Sequence, residues 1–399
     1  MITPHKQFRI IKRKKWKRCQ KALLLESEKG FHFFKPSYYE KLKKYEQRKR
    51  KKVNKKSSYN NEQYKNHNRV TLSVEKDIDF EGHVENIVKF TKDVDQFLKK
   101  DLNKNFSINH RKIKNISIGG LLYLVGQISK ITSAKFNDGK HHLKYNKRLG
   151  LSEDQRIKYL FKEIGYWNYF GIKNPYMVEE SIKSNYFLSI ETNNKSDFDS
   201  LNKIKKFIND NVDFLKKDYG IEYQFDDAIK EAMGNSIEHA YHDDFSEIGK
   251  QKGKWWICGH YDKKRESLEI AFYDYGIGIR ESIKYNLGEE AEKAFFDKAK
   301  ESLKNDSDLI ETAIQGDLAK YKNYKEHDRG KGFKRFKKFA KVSKNDCELT
   351  IVSTKGSYKF SYNAQNETEE VEKKVLSGPI DGMLIKWVIN LSERNKNGE

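Results

Sequence analysis

Cysteine is scarce in this 399-residue chain: Cys19, Cys258 and Cys347 are the only three. They stand too far apart for the short spacings of a zinc site, and they suggest no disulfide framework. Such usage fits a reducing, intracellular compartment. Long hydrophobic runs are missing too. No apolar stretch approaches the roughly 18 residues that cross a bilayer. The N-terminus is basic but lacks the apolar segment of a signal peptide. The expectation is a cytoplasmic protein with no membrane partner. Hydrophobic residues are also in short supply, at 36% against 35% charged. That balance implies a solvated portion beside the core, and the length suffices for two or three domains.

Acidic residues are nearly absent from the first 70 positions, which hold 23 Lys/Arg and 5 Asp/Glu, so most of the net charge of +22 lies there. The rest of the chain is close to balanced. Residues 1–69 therefore read as a basic N-terminal arm. It contains RIIKRKKWKR and KKYEQRKRKKVNKK, with Trp16, Phe31, Phe33, Phe34, Tyr38 and Tyr39 in and between them. Dense positive charge with interleaved rings suits a nucleic-acid backbone, with the rings available for stacking. DNA or RNA is thus one candidate partner of the arm. A solvated tail that docks on an acidic protein surface, or on nothing, is the other reading. Lys, Asn and Ile are abundant throughout, and no helix-turn-helix or finger signature decides between them.

Residues 70–175 alternate strand and helix patterns. VTLSV, FSINH and HHLKYN read as strands; FEGHVENIVKFTKDVDQFLKKDL, IGGLLYLVGQISKITS and SEDQRIKYLFKEIGYW read as helices, the last with Ser152 as N-cap. The expectation is a small α/β domain. Residues 176–399 follow with a strand (SNYFLSIE) and an amphipathic helix over 201–219 ended by Gly220. A second helix comes next, its arc made by Phe225, Ile229, Met233, Ser236 and Ala240. Two strands, KWWICGHYD and SLEIAFYD, lead into a long, mostly helical insert. HDRGKGFKRFKKFAKV is a glycine-rich start running into a basic helix. ELTIVST, SYKFSYN and MLIKWVINL are strands, with an acidic loop at 364–374. The order describes a two-layer α/β sandwich with a mostly antiparallel sheet.

Within that second half, several residues form a constellation suited to a nucleotide. Glu231 and Asn235 are neighbours on one helix face. An asparagine can complete a Mg²⁺ shell dominated by phosphate oxygens and water, and a glutamate one turn earlier can activate the attacking water. Asp274, at a strand end, can accept a hydrogen bond from an exocyclic amine such as that of adenine. Gly276 and Gly278 after it let the backbone come close. Gly330, Lys331 and Gly332 open a helix and offer backbone N–H groups to phosphates, with Arg329 and Lys331 adding positive charge.

Each piece alone is common; their order is not. EAMGNSIEHAY, YDYGIGI and RGKGF together resemble the N box and two glycine boxes of the GHKL superfamily of ATPases, with wording closest to its anti-sigma-factor serine kinases and histidine kinases. The resemblance covers roughly residues 200–391. It implies a Bergerat fold, ATP and Mg²⁺ as cofactors, Glu231 as general base, Asn235 as metal ligand, Asp274 as adenine reader, and residues 280–329 as a lid over the nucleotide. Two positions depart from the pattern. Gly382-Met383 stands where the family often has Gly-Thr, so hydroxyl support for Asp274 must come from elsewhere or be absent, and Phe333 replaces a usual leucine. FSINHRKIKNISIGGLLYLVGQI resembles the core of anti-anti-sigma (STAS) domains, although Ile118 separates Ser117 from Gly119 and breaks that family's serine-glycine pattern.

The function these readings imply is a Mg²⁺-dependent ATPase acting as an ATP-gated regulatory switch, or as a clamp if the arm engages nucleic acid. The alternative is a serine kinase of the anti-sigma type that phosphorylates a protein partner. A nucleic-acid module with ATP as a structural ligand is a third reading, against which Glu231 argues. A homodimer remains open. No stretch reads as the helical hairpin of a sensor kinase, and His239 is expected to pack or touch phosphate and not to accept it.

Overall fold

The computed structural model describes residues 69–136, 150–172, 185–211, 219–241, 249–287, 305–315, 332–341 and 345–391. The basic arm up to residue 68, the expected strand HHLKYN, and Arg329, Gly330 and Lys331 lie outside the described residues.

The chain begins with β1 (Arg69–Ser73), β2 (Asp77–Ile78), α1 (Val84–Lys100), β3 (Asn105–Asn109), β4 (Asn115–Ile116) and α2 (Ile118–Phe136). β1 pairs in parallel with β3, and β2 with β4. α1 buries Ile87, Val88, Val94, Phe97 and Leu98 along one stripe, the spacing of a helix that faces a core. α2 is apolar on nearly every side, with Leu121, Leu122, Leu124, Val125, Ile128 and Ile131 all buried. It is packed between α1 and the large sheet. Ser117 caps it, its hydroxyl accepting the Gly120 N–H at 3.1 Å. Two short helices follow, α3 (Gln155–Glu163) and α4 (Tyr166–Tyr169). The cap of α3 is Asp154, which accepts the Arg156 N–H at 2.8 Å. Ser152, expected in that role, is drawn inward and donates to the Ile113 carbonyl at 3.0 Å. A buried hydroxyl needs an acceptor, and that bond takes precedence over capping.

The second half contributes β5 (Asn185–Asn193), α5 (Phe198–Asn211), α6 (Tyr219–Glu238), β6 (Trp255–Asp262), β7 (Ser267–Asp274), α7 (Gly278–Leu287), α8 (Asp306–Gln315), α9 (Gly332–Ala340), β8 (Cys347–Ser353), β9 (Gly356–Asn363), β10 (Thr368–Val375) and β11 (Met383–Asn390). Gly220, expected to end the preceding helix, lies in the first turn of α6. Seven strands form one sheet in the order β10-β9-β8-β11-β7-β6-β5. Every neighbouring pair is antiparallel. The segment expected as an acidic loop is largely β10. All eight of its residues are exposed, so burial imprints no alternation on its sequence. Pairing with β9 and ion pairs hold it instead: Glu369 with Lys337 at 2.7 Å and with Lys341 at 2.5 Å, and Lys373 with Asp308 at 2.9 Å and Glu311 at 2.8 Å.

Helices cover both faces of this sheet. On one face α5, α6, α8 and α9 pack on Leu268, Ile270, Phe272, Leu349, Ile351, Ile385 and Trp387. On the other, α1 to α4 share a second cluster with Trp256, Cys258, Ala271, Tyr273, Val352 and Leu384. Burial on both sides explains why β6, β7 and β11 read as near-continuous apolar runs. Residues from the expected 70–175 and 176–399 segments thus meet in one core, and all described residues belong to one unit.

Candidate functional site

α6 is the element around which the predicted residues gather. Its apolar side, with Phe225, Ile229, Ala232 and Met233, is buried in the first core. Glu231 and Asn235 are half-buried at its edge. The Glu231 carboxylate accepts a hydrogen bond from Arg335 of α9, Nη1 to Oε2, at 2.6 Å. Gly332, the first residue of α9, packs directly on it: a Cβ built at Gly332 would stand 1.7 Å from Glu231 Oε1. The start of α9 therefore has a notch for this carboxylate, and only glycine leaves it open. Burial raises the Glu231 carboxyl above its ordinary value, opposed by the Arg335 charge and by the Asn235 amide. Asn235 lies one turn further along α6. Its amide nitrogen is buried without a hydrogen bond of ordinary geometry, a costly state that a further polar partner would relieve.

Asp274 ends β7 on the same side of the sheet and is 1% exposed. The Ser236 hydroxyl of α6 donates to its Oδ2 at 3.1 Å, and the Gly276 N–H donates to Oδ1 at 2.9 Å. The backbone of Met383, its partner in register on β11, adds a third bond. Burial pushes the carboxyl up to about 6, against the pull of these donors and of Lys250. The hydroxyl that Met383 cannot offer thus reaches Asp274 from Ser236. Ser353 holds the neighbouring turns, accepting the Ile279 N–H at 2.9 Å and donating to the Gly382 carbonyl at 3.1 Å.

The glycines after Asp274 serve close packing within the chain. A Cβ at Gly276 would stand 2.3 Å from the Ala240 carbonyl oxygen, and the adjacent Ile277 N–H bonds that same carbonyl at 2.8 Å. Gly278 has φ +78° and faces Thr354. The turn is thereby locked onto the C-terminal end of α6. Of the insert at 280–329, α7 and α8 are described. α8 is a core helix, burying Leu309, Ile310, Ala313 and Ile314. Arg280 ties α7 to its start through Asp306 at 2.5 Å.

Arg335 and Ser236 are site residues that the sequence reading did not assign. Ser236 was visible as the one hydroxyl on an apolar arc; Arg335 had no signal beyond standing one turn after Gly332. On the opposite face of the sheet, Asp381 is clasped by Lys130 at 2.6 Å and Lys250 at 3.2 Å, and Lys130 also pairs with Asp95 at 2.8 Å. Gln127 donates to Asp381 at 3.1 Å, and the Asp381 N–H donates to the Tyr123 hydroxyl at 3.2 Å. This buried polar cluster lies immediately before Gly382-Met383 in the chain.

Among known proteins, no family model, curated protein or solved structure matches the chain. Among the described residues, no helix is long and apolar enough to cross a membrane, and no group of three or more His, Cys, Asp or Glu is placed to hold a metal ion.

Proposed function

We propose that the chain binds ATP with Mg²⁺ against α6 and hydrolyses it, acting as an ATP-gated switch. The observation that carries this reading is the meeting of three sequence-distant motifs on one helix. Glu231 and Asn235, Asp274 through Ser236, and Gly332 all touch or lie on α6. In this reading Asp274 accepts the exocyclic amine of adenine through a lone pair that Ser236, Gly276 and the Met383 backbone leave unused. The N–H groups at the start of α9 face the phosphates, where a helix N-terminus favours negative charge. Asn235 would be the protein's ligand to Mg²⁺ through its amide oxygen, and its buried amide nitrogen, which lacks a hydrogen bond of ordinary geometry, would bond a phosphate oxygen. Mg²⁺ itself would supply charge neutralisation at the phosphates. Burial makes Glu231 a stronger base for orienting and deprotonating water, and Arg335 fixes where that carboxylate points. In the clamp form of the proposal, the basic arm holds nucleic acid in a salt-sensitive manner.

The test is calorimetry with ATP and Mg²⁺ on the full chain, with phosphate release followed in the same samples. Hydrogen bonds to a charged group contribute about 1.5–3 kcal/mol. Asp274→Asn and Asn235→Ala should therefore weaken binding by roughly 10- to 100-fold. Glu231→Ala should keep binding and lose turnover. Absence of adenine-nucleotide binding by the wild type would overturn the reading. Label transferred from γ-phosphate to a protein, with no phosphate release, would replace ATPase by kinase.

A further inference from the structure

The sheet face opposite Glu231 and Asp274 is only partly covered. Beyond the N-terminal end of α2, a cavity of about 880 Å³ opens among α3, the β4–α2 turn and strands β5, β6, β7 and β11. That volume lies within the range of small-molecule sites, which runs to about 1,000 Å³. The cavity has an aromatic side. Phe187 of β5 lies parallel to His260 of β6, ring centroids 4.7 Å apart, and Tyr159 of α3 meets Phe187 edge-on at 5.8 Å. All three rings are only half-buried, so apolar surface remains at the opening. Burial holds His260 below its ordinary value and so uncharged at neutral pH, with Nε2 3.3 Å from Asn185 Oδ1.

Charge of both signs lines the same space. Glu269 of β7 stands beside His260 in register, and among the described residues it forms no salt bridge. Lys114, from the turn before β4, likewise has no carboxylate partner among the described residues. Arg156 of α3 adds a guanidinium, balanced by Asp154 at 3.2 Å. An uncompensated anion and an uncompensated cation facing one cavity from different elements suit a ligand with a donor at one end and an acid at the other. A nucleobase linked to a phosphate has both, and adds a flat ring for the aromatic side.

We propose that this cavity is a second ligand site, for a mononucleotide. Its base lies against Phe187 and His260, an exocyclic amine of the base donates to Glu269, and its phosphate meets Lys114 and Arg156. The site is separate from the one around α6 and does not depend on the ATP reading.

The experiment is calorimetric titration of the full chain with AMP, GMP, CMP and UMP. UMP has no exocyclic amine. At least one amine-bearing nucleotide should bind, and UMP should bind at least tenfold more weakly. Glu269→Gln should remove that preference, and Lys114→Ala should weaken every nucleotide severalfold. Both side chains reach the surface, and circular dichroism would verify that these variants fold. Asp274→Asn, which alters the proposed adenine reader at α6, should leave the Glu269-dependent binding of GMP and CMP unchanged. The proposal fails if none of the four binds at millimolar concentration or if UMP binds as tightly as the others. It fails equally if Asp274→Asn abolishes binding that Glu269→Gln retains.

Discussion

Replacing Gly332 by alanine probes the contact on which the candidate site turns. The new methyl carbon would stand 1.7 Å from Glu231 Oε1. A comfortable C···O contact begins near about 3.3 Å, so the carboxylate must retreat by roughly 1.5 Å. It cannot do so and keep the 2.6 Å bond to Arg335. A hydrogen bond between charged groups contributes about 1.5–3 kcal/mol. Arg335 is 45% exposed, so solvent screening reduces this to about 1 kcal/mol. Alanine recovers at most about 1 kcal/mol of helix propensity, and less at a first helical position. With the steric displacement added, Gly332→Ala should lower stability by about 1–2 kcal/mol in urea unfolding. The decisive measurement is the double variant with Glu231→Ala. Removing the carboxylate removes the collision, so the two changes should couple by about 1–2 kcal/mol. On the proposed ATPase reading, phosphate release by the single variant should fall by about 100-fold, the effect of a reacting group displaced by an ångström. Additive stability changes, or a Gly332→Ala protein more stable than wild type, would refute the placement of Glu231 against α9.

Asp274 makes a pH prediction. Its carboxyl is raised to about 6 in the fold, against about 3.9 when unfolded. The folded state therefore holds a proton that the unfolded state releases, and stability declines as pH rises from about 4 to about 6, by about 3 kcal/mol. Asp274→Asn should lack that decline. Urea unfolding of both proteins at pH 4.5 and 7.5 reads the difference, and parallel profiles would count against it. Lys130, whose side chain is 6% exposed, holds Asp381; Lys130→Met should cost about 3 kcal/mol because it strips a partner from a buried carboxylate. Lys373→Met, which breaks pairs on the exposed β10, should cost under about 1 kcal/mol in the same assay. Equal losses would show that burial does not separate the two clusters.

The elements that sequence patterning revealed are those whose residues are sorted by burial. α6 shows its arc because Phe225, Ile229 and Met233 meet one core while Glu231 lies at the rim. β6, β7 and β11 are plain because both faces are buried. β10 was illegible for the converse reason: every side chain is exposed, and its partners are on β9, α8 and α9. The caps divide similarly. Ser152 and Asp154 are both acceptable capping residues, and the choice depends on the Ile113 carbonyl, distant in sequence. At the candidate site, Glu231, Asn235 and Asp274 announced themselves by residue type and spacing. The notch at Gly332, the bond from Arg335 and the hydroxyl from Ser236 are products of tertiary approach, which no local pattern encodes.

The exposed strand β10 forms one margin of the seven-stranded sheet. A bare margin offers unpaired N–H and C=O groups to any extended chain that drifts past. Val371 and Val375 are 44% and 58% exposed and would welcome such a chain. Glu369, Glu370, Glu372, Lys373 and Lys374 interrupt that invitation with fixed charge of both signs. A second copy arriving parallel and in register would set like charges opposite one another at several rungs. The strand thus carries its own solubility guard, and because that guard is electrostatic, salt above about 0.15 M would thin it. Self-association through this margin should accordingly rise with ionic strength, opposite to the trend expected for nucleic acid on the basic arm.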